Sequence, residues 1–128
     1  MKTILFICFS FLFGHSVSAQ TMKVIGVTEF AEQLKQKNIQ IVDCRTPDEY
    51  KSGYIQGATL ADWNNQQQFA DAAKKLDKSK PVYVYCLAGV RSAKAADWFA
   101  KNGFTNVYSL DGGIKAWQEQ KLPLVKPN

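Results

Sequence analysis

From Val24 onward, short apolar runs of strand length alternate with stretches of helical periodicity, the pattern of an α/β domain with a mainly parallel sheet. Val24-Ile25 predicts a short first strand, and Thr28 is placed to cap a helix reaching about Lys37. Ile39 to Cys44 predicts a second strand. Thr46-Pro47-Asp48-Glu49 then reads as a capping box with proline in the first helical position, and Gly53 closes that short helix. A brief strand around Thr59-Leu60 and a helix from about Gln67 to Leu76 follow, and Pro81 opens a strand from Val82 to Cys86. Ser92 to Asn102 predicts a helix with Gly103 in the left-handed cap position. Asn106 to Leu110 gives the last strand, and Asp111-Gly112-Gly113 turns into a final helix from Ile114 to Gln120.

One junction in this pattern carries chemistry. The apolar strand Val82-Tyr83-Val84-Tyr85 ends on Cys86, and the short loop Leu87-Ala88-Gly89-Val90-Arg91 leads through Ser92 into a helix. Main-chain N–H groups of such a loop, the positive end of the helix and the Arg91 charge all favour a thiolate. Gly89 lets the loop curl tightly with no side chain in the way.

Composition narrows what that thiolate can do. Ile4 to Phe13 forms an apolar run behind Lys2, followed by Val17-Ser18-Ala19, which predicts a secretory signal peptide over residues 1–19 and one domain over 20–128. The run is ten residues long, short of the roughly 20 that span a bilayer, so no lasting membrane insertion is expected. Cys8 lies inside it without the small residues that precede a lipid-modified cysteine. Removing Lys2 lowers the formal net charge of +5 by one, and the densest lysines (Lys74, Lys75, Lys78, Lys80) are interrupted by Asp77, which argues against a nucleic-acid surface. The single histidine, His15, leaves with the leader, so a Cys-His or Ser-His-Asp nucleophile and a His-ligated metal are excluded. Cys86 must be activated electrostatically.

Four segments in this order resemble the rhodanese family over essentially the whole mature chain. They are Asp43-Cys44-Arg45-Thr46-Pro47-Asp48-Glu49-Tyr50, then Gly53-Tyr54-Ile55-Gln56-Gly57-Ala58, then the loop Cys86 to Ser92, and finally Leu110-Asp111-Gly112-Gly113-Ile114-Lys115-Ala116-Trp117. The resemblance implies a rhodanese-like fold: a five-stranded, mainly parallel central sheet flanked by helices on both faces, with the active cysteine at the carboxyl end of a central strand. It implies sulfur transfer, with Cys86 taking a sulfane sulfur from a donor such as thiosulfate and passing it to cyanide or a thiol. Cys86 and Arg91 are then the expected catalytic residues, and Leu87, Ala88, Gly89, Val90 and Ser92 the loop that holds the persulfide. Asp43 and Arg45 are expected to be a buried structural pair. No metal or cofactor is implied, and a monomer is expected.

Other readings stay open at this point. The loop counts six residues from Cys86 to Arg91, similar to the sulfurtransferase pattern, whereas phosphatases of related fold have one more; a phosphatase or arsenate reductase ranks second. A third reading is a non-catalytic thiol-redox module with a Cys44–Cys86 disulfide, since Cys44 stands where the family usually has valine and an oxidising compartment favours pairing. Tyr54 stands where a histidine is common. Leu87 and Ala88 occupy positions often charged in thiosulfate-specialised members, which leaves the physiological donor open. Trp98 and Trp117 are expected in the core, and Trp63 is a candidate for the mouth of the site.

Overall fold

The computed structural model describes residues 21–128. Among them strands and helices alternate strictly: β1 Lys23–Ile25, α1 Val27–Gln33, β2 Gln40–Asp43, α2 Pro47–Lys51, β3 Ala58–Leu60, α3 Gln66–Lys74, β4 Val82–Tyr85, α4 Val90–Lys101, β5 Val107–Leu110 and α5 Gly113–Glu119. The predicted leader lies outside the described residues. No helix among them is long and apolar enough to cross a membrane.

The strands form one sheet in the order β1-β5-β4-β2-β3, with every pairing parallel, so β4 is central. Alternation along β4 builds two cores. Val82, Val84 and Cys86 face Phe69, Ala72 and Ala73 of α3 and Ala95, Ala96 and Phe99 of α4. Tyr83 and Tyr85 face Phe30 of α1 and Ile114 and Trp117 of α5. Helices therefore cover both faces, and a strand buried on both sides reads as an unbroken apolar run, as β4 does.

Local signals explain most element ends. Thr46 accepts a hydrogen bond from the Glu49 N–H while the Glu49 side chain accepts from the Thr46 N–H, and Pro47 opens α2. Asn65 caps α3 in the same manner through Gln68. Gly103 adopts a positive φ of 92° after α4. The first helix departs from expectation: its cap is Gly26 rather than Thr28, no side chain caps it, and it ends at Gln33. Burying Phe30 fixes where this helix sits, and tertiary packing overrides the hydroxyl as a boundary signal. The fourth helix starts at Val90, two residues before the predicted Ser92, because Gly89 takes a left-handed φ of 101° and turns the chain at once.

Candidate active site

Cys86 is the first residue past β4, at the carboxyl end of the central strand, and is 1% exposed. The loop after it folds back so that the Gly89 N–H donates to Cys86 Sγ at 3.1 Å and the Ser92 N–H at 3.3 Å. The Ser92 hydroxyl lies 3.5 Å from the same sulfur and accepts from the Ser109 hydroxyl at 2.9 Å. Cys86 Sγ thus sits at the amino end of the 12-residue helix α4, where unpaired N–H groups and the helix dipole favour negative charge. Its pKa is lowered to about 4: the thiol of Cys44 contributes most, burial opposes, and the Ser92 hydroxyl and the two N–H groups complete the effect. The neighbouring Cys44 is pushed strongly upward by the same contact and by burial, so it remains a neutral thiol. Both cysteines are free.

Gly113 braces the loop from behind. The Ile114 N–H donates to the Cys86 carbonyl at 2.8 Å and the Lys115 N–H to the Leu87 carbonyl at 3.1 Å, so the start of α5 is bonded directly to the reactive loop. A Cβ on Gly113 would lie 2.5 Å from the Leu87 carbonyl and 2.6 Å from the Cys86 carbonyl oxygen, and φ there is 62°. Only glycine allows this approach without displacing the loop. Leu87 and Val90 stand on the outer side, 37% and 66% exposed, and give the rim an apolar character.

The two arginines have different surroundings. Arg45 and Asp43 are buried: Arg45 Nε donates to Asp43 Oδ1 at 2.9 Å, one terminal nitrogen donates to Asp43 Oδ2 at 2.6 Å, and the same nitrogen reaches the Gly53 carbonyl at 2.7 Å. The Tyr85 hydroxyl also donates to Asp43 at 2.8 Å and accepts from the Ile55 N–H at 3.0 Å. Burial works against the Arg45 charge, but Asp43 outweighs it and the net shift is upward. This network ties the end of β2, the segment after α2 and the last residue of β4 together.

Arg91, on the first turn of α4, is paired with a carboxylate. Its two terminal nitrogens donate to the two carboxylate oxygens of Glu49 at 2.7 and 3.0 Å, so the guanidinium spans from α4 to α2. Glu49 is held at about 2, first by Arg91, against the cost of burial, and with the help of Thr46. A planar guanidinium meets a carboxylate bidentately more readily than it meets a single sulfur. Arg91 still senses the Cys86 charge, which adds to the rise in its pKa after Glu49 has acted and burial has opposed.

Several contributors escaped the sequence reading. Glu49 was visible only as a cap, yet the same carboxylate anchors Arg91. Ser109 supports Ser92, and its signal was available: a polar residue at an inward position of an apolar strand, opposite Val84, predicts a buried hydrogen bond. Trp63 packs its ring edge-on against Phe69 at 4.9 Å and donates its main-chain N–H to the Cys44 carbonyl at 3.2 Å. Trp98 also packs against Phe69, and Trp117 is buried with its indole N–H on the Pro123 carbonyl. Tyr54 stacks on Tyr50 at 4.1 Å.

Comparison with known proteins agrees with this geometry. The family model for the rhodanese-like domain matches residues 26–120. Thiosulfate sulfurtransferase GlpE of Shewanella oneidensis is 35% identical over 99 residues, spanning 77% of this chain and 95% of that protein. Thiosulfate sulfurtransferase GlpE of Pseudomonas paraeruginosa is 40% identical over 90 residues, spanning 70% of this chain and 79% of that protein. Among solved structures, the rhodanese-like domain protein of Staphylococcus aureus superposes with a TM-score of 0.72 at 32% identity, covering 84% of this chain and all of that one.

Proposed function

The chain belongs to the rhodanese-like domain family and is a rhodanese-type sulfurtransferase, and we propose that it is an exported one that uses thiosulfate as a donor and Cys86 as the sulfur carrier. The observation that carries the reading is the buried Cys86 Sγ receiving the Gly89 and Ser92 N–H groups at the head of α4. The thiolate attacks the outer sulfur of thiosulfate, the sulfur–sulfur bond breaks, and sulfite leaves with the electron pair. The Cys86 persulfide then sits in the Leu87–Ser92 loop, whose fixed donors stabilise charge without reorganising. Cyanide or a thiolate attacks the terminal sulfur, takes it away and restores the Cys86 thiolate. No step requires a general base, which suits described residues that include no histidine.

With Glu49 bound to both ends of Arg91, the loop's main chain supplies most of the attraction for an anionic donor. The apolar rim of Leu87 and Val90 suits donors of lower charge, such as organic persulfides, beside thiosulfate. Export rests on the leader read over residues 1–19. The enzymatic part is tested by thiocyanate formation from thiosulfate and cyanide, expected in the wild type and absent in Cys86→Ser. Turnover retained in Cys86→Ser would contradict it. The export part is tested by fractionating producing cells and weighing the mature protein: a chain starting at Gln20 outside the cytoplasm supports it, and full-length cytoplasmic protein contradicts it.

A further inference from the structure

The parallel pairing of β2 with β4 sets Asp43 opposite Tyr85, so the next residue on each strand is a cysteine: Cys44 beside Cys86. The Cys44 N–H donates to the Tyr85 carbonyl at 3.0 Å, which carries the pairing past the last strand residue. Alternation puts both side chains on the same face of the sheet, in one core cluster with Val42 and Val84. Neighbouring strands lie about 4.8 Å apart, inside the roughly 4.4–6.8 Å between Cα atoms that a disulfide needs. The two residues are 0% and 1% exposed, so this thiol neighbour reaches the reactive sulfur without passing through solvent. The Cys44 thiol already acts on Cys86 more strongly than any other group. Nothing in the transfer cycle above uses Cys44 as a reactant.

We propose that Cys44 resolves the persulfide carried by Cys86, giving the enzyme a second outlet: release of sulfide at the cost of an intramolecular disulfide. The proposal rests on the sulfurtransferase reading for the loading step. Once Cys86 Sγ is bonded to the terminal sulfur it is no longer the thiolate that holds Cys44 protonated; Cys44 passes its proton to the terminal sulfur as its Sγ attacks Cys86 Sγ, the bond from Cys86 Sγ to the terminal sulfur breaks, and that sulfur leaves with the electron pair as hydrosulfide. The sulfane sulfur is reduced and the two cysteine sulfurs are oxidised, so the step balances without an outside oxidant. An external dithiol then reduces the Cys44–Cys86 bond and resets the site. An external acceptor must arrive from solvent, whereas Cys44 is permanently adjacent, an intramolecular competitor of high effective concentration. Abundant acceptor therefore draws sulfur out as a transfer product, and scarce acceptor leaves it to depart as sulfide.

The test is a single turnover with the fully reduced mature protein and one equivalent of thiosulfate, with no acceptor. Samples are acid-quenched and alkylated at intervals for peptide mass, and sulfide is trapped with monobromobimane. The wild type is expected to show one added sulfur on the Cys86 peptide that decays as one sulfide per chain appears. Both cysteines should then resist alkylation until dithiothreitol is added. Cys44→Val and Cys44→Ser, two replacements so that the result does not hang on one variant folding, are expected to load sulfur, hold it at least tenfold longer and release no sulfide. A wild-type persulfide that lasts as long as in the variants, or sulfide release without the disulfide, would overturn the proposal. If neither wild type nor variants gain sulfur, the sulfurtransferase reading fails and takes this proposal with it.

Discussion

Cys44 and Cys86 occupy almost the same position twice over: each is the first residue beyond a buried parallel strand, on the same face of the sheet, closed off from solvent. Their acidities nonetheless diverge in opposite directions, Cys86 falling to about 4 and Cys44 rising. Burial alone raises both, so the difference comes first from their mutual contact, which lowers one and raises the other, and then from what the chain does next, which decides that Cys86 is the one to carry the charge. After Cys86 it curls through Gly89 into a 12-residue helix whose leading N–H groups turn back onto the sulfur. After Cys44 it runs into the Arg45–Asp43 pair and a helix whose first turn is satisfied by its own Thr46–Glu49 box. One strand end aims its donors at the reactive sulfur, and the other spends them on structure.

Exchanging a sulfur for an oxygen at each position breaks the comparison most sharply. Cys86→Ser is expected to lower thiocyanate production by at least about a thousandfold with the fold intact by circular dichroism, whereas Cys44→Ser should keep the sulfur-loading step. Equal losses in the two variants would erase the distinction. The structural end is tested next through stability: Arg45→Ala leaves Asp43 buried without its charged partner and should cost about 3–5 kcal/mol in urea unfolding. Arg91→Ala removes a pair whose members are 22% and 27% exposed and should cost only about 1 kcal/mol or less. Similar losses for the two arginines would show that burial does not separate their roles.

Gly113→Ala probes the reactive end without touching the sulfur. Its Cβ must push the Leu87 and Cys86 carbonyls away, and transfer should fall about ten- to a hundredfold while the core remains folded. Unchanged kinetics would mean that the loop tolerates displacement. A smaller effect is expected for Cys44→Val on the thiolate itself. Removing the neighbouring S–H takes away the largest influence that lowers the Cys86 pKa, so its midpoint should move up while remaining below that of a free thiol. A midpoint unchanged by this replacement would leave the loop as sole activator.

The reactive junction was legible in the sequence because every part of it is local: an apolar strand, a cysteine, a glycine that must turn, and a helix start within the eleven residues Val82–Ser92. The box at Thr46–Glu49 and the glycine after α4 were legible for the same reason. What joins distant segments was not. Arg91 meets Glu49 from 42 positions away, Tyr85 meets Asp43 likewise, and Gly113 touches the loop only because β5 lies beside β4. Strand register across crossover connections is set by packing of both sheet faces, and no single segment encodes it. The adjacency of Cys44 and Cys86 lies between the two groups: the family resemblance raised the pair as a candidate disulfide, and the register of β2 on β4 makes them neighbours with both thiols free.

Cys86 is a thiolate without the help of a histidine, and the thiolate absorbance near 240 nm from pH 3 to 10, taken as wild type minus Cys86→Ser, measures this directly. Depression of the folded-state pKa means that the native protein holds one proton fewer than the unfolded chain between about 4 and the ordinary value of 9.0. The stability this contributes is present in full above that ordinary value and is lost as pH falls through about 4. The difference titration is therefore expected to show one thiolate with a midpoint near 4 and to be flat through neutrality. A midpoint near the free-thiol value of about 8.5 would contradict the account, because the loop and the helix would then do nothing for the sulfur they surround.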